Sequence, residues 1–406
     1  MANVSSSNGL EKRPKLRFPG FDEPYKDTTL GEIASLVNRT DPKSDAPIMM
    51  LSAGNGFIMQ SEKYSRDNAG QSLKKYILLK KGELAYNHGA SKARQYGCCY
   101  ELTENEARIP YVYHCFKVCE TEYTPYIAIA LNNTKMDKQL KRLVSSSVRM
   151  DGLLNISFED YMSITMSLPS SDEQKYIADF LGKLDERIKA QERLVSYLKK
   201  YKRGLVFSIF STSNPYEIAV ESTPLTTLLK EYRNRETTNL RVCSVAVAKG
   251  VVDQLEHLGR RFAASDTSNY GRVKPGDVVY TKSPTGDFPY GIVKQSWLHE
   301  DVAVSPLYGV YTPLNYEVGY LIHTYFEQSS NANNHLRTLA QKGAKNTINI
   351  TTGHFLDKDI PFPIREDEVS MLVGLFSRIN KRIDNEESRL NKLVLQRKAL
   401  MQQLFI

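Results

Sequence analysis

The sequence has little that would tie the protein to a membrane or to an oxidising compartment. Its 406 residues contain no apolar run near the roughly 20 residues that a membrane-spanning helix requires. The five cysteines are odd in number and form no CxxC pair. This usage is typical of the reducing cytosol, so we expect a cytoplasmic protein. Residues 1–14 lack the apolar core of a signal peptide and are expected to form a disordered lead-in.

Signatures of enzymes and metal sites are also missing. There is no GxxxxGK[ST] and no GxSxG, and Gly54-Asn55-Gly56 lacks the strand–loop–helix context of a dinucleotide site. Residues 214–216, Asn-Pro-Tyr, resemble part of the Asn-Pro-Pro-aromatic motif of DNA amino-methyltransferases, but the second proline is absent and no cofactor loop precedes them. Both segments are predicted to be turns. His114, Cys115 and Cys119 match no standard zinc spacing. We therefore expect no catalytic residue, no metal and no cofactor.

The composition favours a globular protein with an anionic partner. The hydrophobic share of 41% and the charged share of 25% are ordinary for globular chains. The length allows two or three domains, each with its own core. A formal net charge of +8 and an isoelectric point near 9.0 favour a polyanion such as double-stranded DNA.

A stretch from residue 172 to residue 210 has the apolar repeat of a long coiled-coil helix. Its apolar residues alternate in steps of four and three, and one face carries only two polar interruptions. The seam positions are Ile177, Leu181, Leu184, Ile188, Val195, Leu198, Leu205 and Ile209, with Gln191 and Lys202 as the interruptions. A helix of this length measures roughly 60 Å, well above the length of an average globular helix.

A second copy of this helix follows at a shift of 195 residues (368 − 173 = 195). Its seam is Phe376, Ile379, Ile383, Leu390, Leu393, Leu400 and Leu404, interrupted by Glu386 and Arg397. Parallel packing would set Lys202 against Arg397 in an apolar interface, where unpaired charge is costly. Antiparallel packing sets Lys202 near Glu386 and Gln191 near Arg397. We therefore predict an antiparallel helix pair.

The segments between the helices repeat as well. KKGELAY matches KPGDVVY, LLNIS matches TINIT, and ARIPYVYHCFK matches VAVSPLYGVYT approximately, all near a shift of 194. TTLGEIASLVNR at 28–39 also resembles TTLLKEYRNR at 226–235. Residues 76–89 are predicted to form a strand, a turn and a strand, and residues 108–118 another strand.

The predicted fold class is α+β, a tandem repeat of two mixed α/β domains and two long antiparallel helices with a pseudo-twofold relation. After the lead-in, the predicted boundaries are 15–167 for the first domain, 168–212 for the central helix, 213–361 for the second domain and 362–406 for the C-terminal helix.

Basic and polar residues cluster in loops at matching places in both repeats. Arginine and asparagine can form paired hydrogen bonds with base edges, whereas lysine and serine suit phosphates. For any one of these residues a solvated surface position is the simpler interpretation, but the repetition favours DNA. The candidates are Lys63, Arg66, Asn87, His88, Ser91, Lys92, Arg94, Tyr96, Arg149, Arg260, Arg261, Thr281, Lys282, Ser283, Lys342, Lys345 and Asn346.

Four segments resemble the specificity subunits of type I restriction–modification systems, and the resemblance covers nearly the whole chain from Lys15. They are LPSSDEQKYIADFLGKLDERI, the helix end RGLVFSIF, the opening KLRFPGFDEPYKDTTLGEI and the loop YNHGASK. The C-terminal copy, FPIREDEV, departs from the LPxxxEQ pattern because it lacks the glutamine.

The resemblance implies that each mixed domain is a target recognition domain that reads one half of a bipartite, asymmetric DNA site. It implies that two methyltransferase subunits dock on the helical parts and that restriction subunits join them. It also implies that the chain itself has no catalytic site, so that S-adenosylmethionine, ATP and magnesium belong to the partner subunits. Two alternatives stay open: a non-catalytic coiled-coil scaffold without DNA readout, and, less favoured, a catalytic DNA methyltransferase.

Overall fold

A computed structural model describes residues 12–63, 70–92, 94–144, 154–211, 214–232, 234, 237, 239–258, 268–282, 284–342 and 348–406. The chain divides into two compact units. The first unit comprises Met1–Gln191 and Arg389–Ile406, and the second comprises Glu192–Ser388. Most of the expected lead-in lies outside the described residues, although Lys12 is placed and its carbonyl accepts a hydrogen bond from the Tyr25 amide, 3.0 Å.

The first unit is a mixed α/β domain. Its strands are β1 (Lys26–Thr29), β2 (Ala34–Leu36), β3 (Met49–Ser52), β4 (Gly56–Met59), β5 (Ile77–Lys80), β6 (Leu84–Asn87), β7 (Cys98–Glu101), β8 (Glu106–Ile109), β9 (His114–Val118) and β10 (Thr165–Leu168). Its helices are α1 (Leu30–Ile33), α2 (Gln60–Lys63), α3 (Thr124–Leu131), α4 (Thr134–Leu143) and α5 (Phe158–Met162), with a 3₁₀ turn at Gly70–Lys75. The long helix α6 (Ser171–Ile209) continues into the second unit.

The second unit repeats this plan. Its strands are β11 (Val220–Pro224), β12 (Leu229–Glu231), β13 (Arg241–Ala246), β14 (Gly250–Asp253), β15 (Gly271–Val273), β16 (Val278–Tyr280), β17 (Val293–Gln295), β18 (Val302–Val304), β19 (Gly309–Pro313), β20 (Gln341–Lys342), β21 (Ile348–Asn349) and β22 (Asp359–Pro363). Its helices are α7 (Leu225–Leu228), α8 (Gln254–Leu258), α9 (Tyr316–Phe326), α10 (Ser329–Arg337) and α11 (Thr352–Phe355). The long helix α12 (Glu366–Leu404) returns to the first unit.

The sheets show that the duplication is structural. The four-stranded sheet of the first unit has the order β2-β9-β6-β7, and that of the second unit has the order β12-β19-β16-β17. Tyr86 of β6 pairs with Cys99 and His114, and Tyr280 of β16 pairs with Val293 and Gly309 in the same way. β1 pairs with β10 just as β11 pairs with β22. The predicted tandem repeat is therefore confirmed at the level of strand order.

Two sequence expectations need correction. Residues 108–118 form parts of two strands, β8 and β9, because the turn that begins at Pro110 separates them; the Tyr113 amide donates to the Pro110 carbonyl, 3.0 Å. The match of residues 28–39 with 226–235 is misplaced. The equivalent helices are α1 and α7, whose first residues Leu30 and Leu225 are both fully buried, so the shift here is 195 (225 − 30 = 195). Thr226 and Thr227 within α7 resemble Thr28 and Thr29 ahead of α1, which allowed the wrong register.

The predicted turns are confirmed. Residues 81–82 separate β5 from β6, with Gly82 at a φ of +83°. Residues 53–55 connect β3 to β4, and Gly56 has a φ of +73°. The Asn-Pro-Tyr segment is also a turn, in which the Asn214 side chain accepts a hydrogen bond from the Tyr216 amide, 3.1 Å.

Within the first unit, α6 and α12 run antiparallel. The Tyr25 hydroxyl lies 3.5 Å from the Glu173 carboxylate and 3.3 Å from the Leu404 carbonyl. Further along α6, Asp185 pairs with Arg397, 2.8 Å. As α6 advances from residue 173 to residue 185, its partner on α12 moves back from residue 404 to residue 397, which is the antiparallel sense.

The second unit shows the same sense. Lys199 of α6 forms an ion pair with Glu387 of α12, 2.5 Å. Later residues of α6, Val206 and Ile209, share a core with earlier residues of α12, Leu372 and Phe376. The antiparallel prediction is thus confirmed within each unit.

The predicted seam positions are all withdrawn from solvent, at least in part. The buried ones are Ile177, Leu181, Ile188, Val195, Lys202, Leu205, Ile209, Phe376, Ile383, Glu386 and Leu404. The half-buried ones are Leu184, Gln191, Leu198, Ile379, Leu390, Leu393, Arg397 and Leu400. Lys202 forms an ion pair with Glu327 of the folded domain, and Glu386 pairs with Arg382 one turn earlier on its own helix, 2.8 Å. The charged interruptions are therefore compensated.

Candidate functional site

Each unit presents one loop that is built in the same way. The first loop (residues 87–97) connects β6 to β7, and the second loop (residues 281–291) connects β16 to β17. The Tyr86 hydroxyl donates to the Tyr96 carbonyl, 2.7 Å, and the Tyr280 hydroxyl donates to the Tyr290 carbonyl, 2.8 Å. Each loop is thereby closed at its base by the tyrosine that precedes it.

A glycine completes each closure. Gly97 has a φ of +82° and Gly291 a φ of +98°. A β-carbon on Gly97 would lie 2.4 Å from the Asn87 carbonyl oxygen, and one on Gly291 would lie 1.8 Å from the Thr281 carbonyl oxygen. Only glycine combines this backbone conformation with such a close approach.

The closing tyrosines are themselves held in the core. The Tyr86 ring stacks on Tyr161 at 4.0 Å between centroids, and the Tyr280 ring stacks on Phe355 at 4.9 Å. Burial raises the pKa of both tyrosine hydroxyls, so they remain protonated hydrogen-bond donors at neutral pH. The closing tyrosine of each loop is therefore anchored in the core of its unit.

The residues inside the two frames differ almost completely. YNHGASKARQYG and YTKSPTGDFPYG share only the first tyrosine and the final Tyr-Gly when aligned position by position. These three shared residues are the ones that close the loop. A constant frame with a variable interior is an arrangement suited to presenting different side chains to related targets.

Among the described residues of the first loop, the exposed polar side chains are Ser91, Lys92 and Gln95, and Asn87 is half-buried. The Asn87 side chain accepts a hydrogen bond from the Gly89 amide, 2.9 Å, and the Ser91 hydroxyl accepts one from the Arg94 amide, 3.0 Å. Local hydrogen bonds therefore shape the loop while leaving the Lys92 ammonium at the surface.

The guanidinium of Arg94 points into its own domain and not towards solvent. Its guanidinium donates to the carbonyls of Asn132, 2.6 Å, and Gly97, 3.3 Å, and pairs with the Asp137 carboxylate, 3.4 Å. The side chain is 14% exposed. We therefore assign Arg94 to holding the first loop against the domain.

The other described candidates are placed as follows. His88 is buried, with its ring 5.0 Å from that of His114, and Tyr96 is half-buried. Thr281 is buried, and its hydroxyl accepts a hydrogen bond from the Ile292 amide, 3.1 Å, whereas Lys282 is half-buried.

Nine candidates are not fully described. Lys63 ends α2 and Lys342 lies in β20, and their side chains are outside the described part. The remaining seven lie outside the described residues altogether: Arg66, Arg149, Arg260, Arg261, Ser283, Lys345 and Asn346.

A recess of about 450 Å³ lies beside the first loop. The loop residues Asn87, Ser91 and Lys92 line one side, and the turn residues Ser52 and Gly54 line the other. The sequence predicts only a turn at residues 54–56. No local pattern connects this turn with residue 91, because the contact is created by the packing of separate strands.

Glu173 and Gln174, the Glu-Gln pair of the LPSSDEQ segment, make buried hydrogen bonds within the first unit. The Glu173 carboxylate accepts from Arg17 Nε, 2.9 Å, and Nη2, 2.7 Å, and is almost completely buried. Gln174 is fully buried, accepts from the Tyr123 amide, 3.0 Å, and donates to the Pro169 carbonyl, 3.0 Å. These contacts tie the start of α6 to the domain.

The second unit fixes the start of α12 with a glutamate alone. Glu368 is buried, pairs with Arg365, 3.0 Å, and accepts from the Ala219 amide, 3.3 Å. The missing glutamine of the C-terminal copy thus leaves the buried carboxylate in place.

No cluster of three histidine, cysteine or acidic side chains able to hold a metal ion occurs among the described residues. His114 instead contacts the Ile156 carbonyl, 2.9 Å, and Cys115 is buried in the core. In the same part of the chain, no helix is long and apolar enough to cross a membrane.

Comparison with solved structures shows the fold. The S subunit of the type I restriction-modification system from M. genitalium superposes with a TM-score of 0.57 at 11% identity, over 97% of this chain and 99% of that chain. A chain from a structure concerning complex assembly and conformational transition of the type I R-M system gives a TM-score of 0.51 at 13% identity, over 95% and 98%. The HsdS subunit from Thermoanaerobacter tengcongensis gives a TM-score of 0.45 at 14% identity, over 97% and 98%.

No protein-family model and no curated protein sequence matches the chain. The first two superpositions cover almost the full length of both partners, so the chain has the fold of type I restriction–modification S subunits. The predicted α+β class with two mixed domains and long helices is confirmed.

Proposed function

We propose that this protein is the DNA-recognition subunit of a type I restriction–modification complex. Each unit contacts one half of a bipartite, asymmetric site in double-stranded DNA. The observation that carries the proposal is the pair of loops, which share a closing frame of tyrosine and glycine but differ in almost every residue inside it. Two recognition loops with the same frame but different inner residues are suited to two half-sites of different sequence.

The basic and amide side chains of the loops supply the contacts in this proposal. In this proposal Lys92 and Lys282 contact phosphates, and Asn87 pairs with a base edge once its local hydrogen bond is exchanged. Phosphate contacts by lysine release counterions, so affinity should fall steeply with salt. The net charge of +8 agrees with such a partner.

The chain is proposed to carry out no reaction itself. Two methyltransferase subunits and the restriction subunits would supply S-adenosylmethionine, ATP and magnesium chemistry, in the cytoplasm. A docking surface for partner proteins on the second unit is supported by large aromatic side chains that α6 exposes there: Tyr197, Tyr201 and Phe207, each about half exposed or more. Exposed aromatic groups on a long helix are typical of protein interfaces.

Replacing Lys92 or Lys282 by alanine should weaken duplex DNA binding and lower the slope of log K against log salt by about 1. Fluorescence anisotropy with duplex DNA across a salt series measures both quantities. Lys26→Ala removes an exposed lysine from β1, away from both loops in sequence, and should leave affinity and slope unchanged.

Two results would count against the proposal. Absence of salt-dependent duplex binding would favour the scaffold alternative, because a scaffold needs no phosphate contacts. Tight binding of S-adenosylmethionine by the isolated chain would favour the methyltransferase alternative.

A further inference from the structure

The second unit contains a cavity of about 360 Å³ that the DNA-recognition proposal does not use. It lies among α6, α9, α12 and the strand β17, and all of its lining residues belong to the second unit. Its walls include Lys202, Lys294, Trp297, His323 and Glu327. The volume is within the range of small-molecule sites, which combine apolar walls with a few convergent polar groups.

Lys294 is the unusual residue of this cavity. Its side chain is 3% exposed, and burial lowers the pKa of its ammonium. Three carboxylates line the same cavity: Glu327 pairs with Lys202, Glu387 pairs with Lys199, and Asp384 is exposed. Within the part of the chain that the structure describes, Lys294 donates no side-chain hydrogen bond. A buried cation without an acceptor is costly, so an acceptor from outside the chain would be stabilising.

His323 adds a second donor. Its ring is buried, and its Nδ1 accepts a hydrogen bond from the Gln295 amide, 3.1 Å. Burial, together with the neighbouring Lys294, lowers the pKa of His323 to about 3. The ring is therefore neutral at physiological pH and carries its proton on Nε2, since Nδ1 is the acceptor.

Trp297 forms an aromatic wall. Its ring lies 4.7 Å from the His323 ring and 5.9 Å from the Tyr320 ring, and 43% of the residue is exposed. Its indole N–H is occupied by the Gln295 side chain, 3.0 Å, so the ring offers its face and edge to a ligand and not its donor.

The first unit fills the corresponding space. Tyr100 pairs with Ala85 just as Lys294 pairs with Val279, so strand register makes Tyr100 and Lys294 equivalent. The Tyr100 hydroxyl donates to the carbonyl of Ala53, 2.8 Å, and its ring packs near Gly56. The cavity therefore exists where a lysine replaces a space-filling tyrosine.

Two more charged or titratable residues of the cavity are absent from the first unit. At the shift of 195, His323 corresponds to Ala128 and Glu327 to Asn132 (323 − 128 = 195; 327 − 132 = 195). The shared scaffold folds without this set of residues, so the set is not a requirement of the fold.

We propose that this cavity binds a small organic carboxylate. The carboxylate would accept hydrogen bonds from the Lys294 ammonium and the His323 Nε2–H, and a planar apolar portion would lie against Trp297. Lys294 and His323 both line this cavity, and the carboxylate of Glu327 is already engaged by Lys202. Phe288 of the second loop also lines the cavity, but the two proposed donors, Lys294 and His323, lie outside both loops.

Benzoate is a suitable probe because it joins a carboxylate to a flat ring. Trp297 is the only tryptophan of the chain, so intrinsic tryptophan fluorescence of the full chain reports on this cavity alone. Benzoate should change the fluorescence saturably and bind at least about tenfold more tightly than benzamide, which has the same shape without the charge. No saturable change, or equal affinity for the two compounds, would overturn the proposal.

Two variants locate the binding. Lys294→Met keeps an unbranched side chain one atom shorter without the ammonium, and should abolish the preference for benzoate. Lys294→Tyr copies the first unit and should fill the cavity, so that neither compound binds. Lys230→Met changes an exposed lysine of β12 and should bind benzoate as the parent does.

Circular dichroism checks that each variant is folded. An unchanged benzoate affinity in Lys294→Met would contradict the site. The titration contains no DNA, so its outcome and that of the DNA-binding experiment are independent.

Discussion

Replacing Gly291 by alanine should lower the free energy of unfolding of the second unit by about 3 kcal/mol or more. The new β-carbon would lie 1.8 Å from the Thr281 carbonyl oxygen, and the backbone at φ +98° already disfavours any side chain. Relief requires the base of the second loop to open, which would separate the Tyr280 hydroxyl from the Tyr290 carbonyl. Urea unfolding followed by circular dichroism measures the loss.

Gly286→Ala is the matched control. Gly286 lies in the same loop and also has a positive φ, +50°, but a β-carbon there would meet nothing within 4 Å. Its replacement should cost only about 1 kcal/mol, which is the usual penalty for the backbone conformation alone. If both variants lose the same stability, the close approach at Gly291 does not close the loop.

Replacing Glu173 by glutamine should destabilise the first unit by about 3–5 kcal/mol. The change leaves the Arg17 guanidinium, whose side chain is 11% exposed, beside a neutral amide in place of a bidentate carboxylate. Breaking one half of a buried pair is costly because the remaining charge stays desolvated. Urea unfolding again provides the measurement.

Glu186→Gln tests whether the cost comes from burial. Glu186 lies on the same helix, α6, but is exposed, so its replacement should change stability by less than about 0.5 kcal/mol. Equal effects of the two substitutions would show that the Glu-Gln pair of the LPSSDEQ segment does not anchor α6.

The duplicated architecture could be predicted from the sequence because it rests on periodicity. The heptad seam from Ile177 to Ile209 and its repetition at a shift of 195 require only counting along the chain. The antiparallel sense followed from charge and is confirmed, but the charged seam residues form ion pairs with residues other than those predicted: Lys202 pairs with Glu327 of the folded domain and Arg397 with Asp185. The apolar periodicity of α6 cannot predict a partner such as Glu327, because that residue lies about 125 positions away in the sequence.

The candidate site was less predictable because loop composition does not tell where a side chain points. Arg94 has the residue type and the loop position of a DNA contact, yet its guanidinium is held by Asn132 and Asp137, which lie about 40 residues away in the chain. The shared Tyr-Gly frame was visible in the sequence, but its meaning emerged only from the hydrogen bond that closes each loop. The cavity around Lys294 is formed by residues from a strand and three helices that are distant in sequence. No local sequence pattern therefore predicts it.

The most direct test of the central claim is a map of methylated bases in cells with and without this gene, and in cells whose chain carries Gly291→Ala. The proposal predicts methylation at a split motif of two unlike halves, complete loss of that methylation without the gene, and altered selection of one half only in the variant. A methylation pattern that is the same in all three strains would contradict the assignment of this chain as the DNA-recognition subunit.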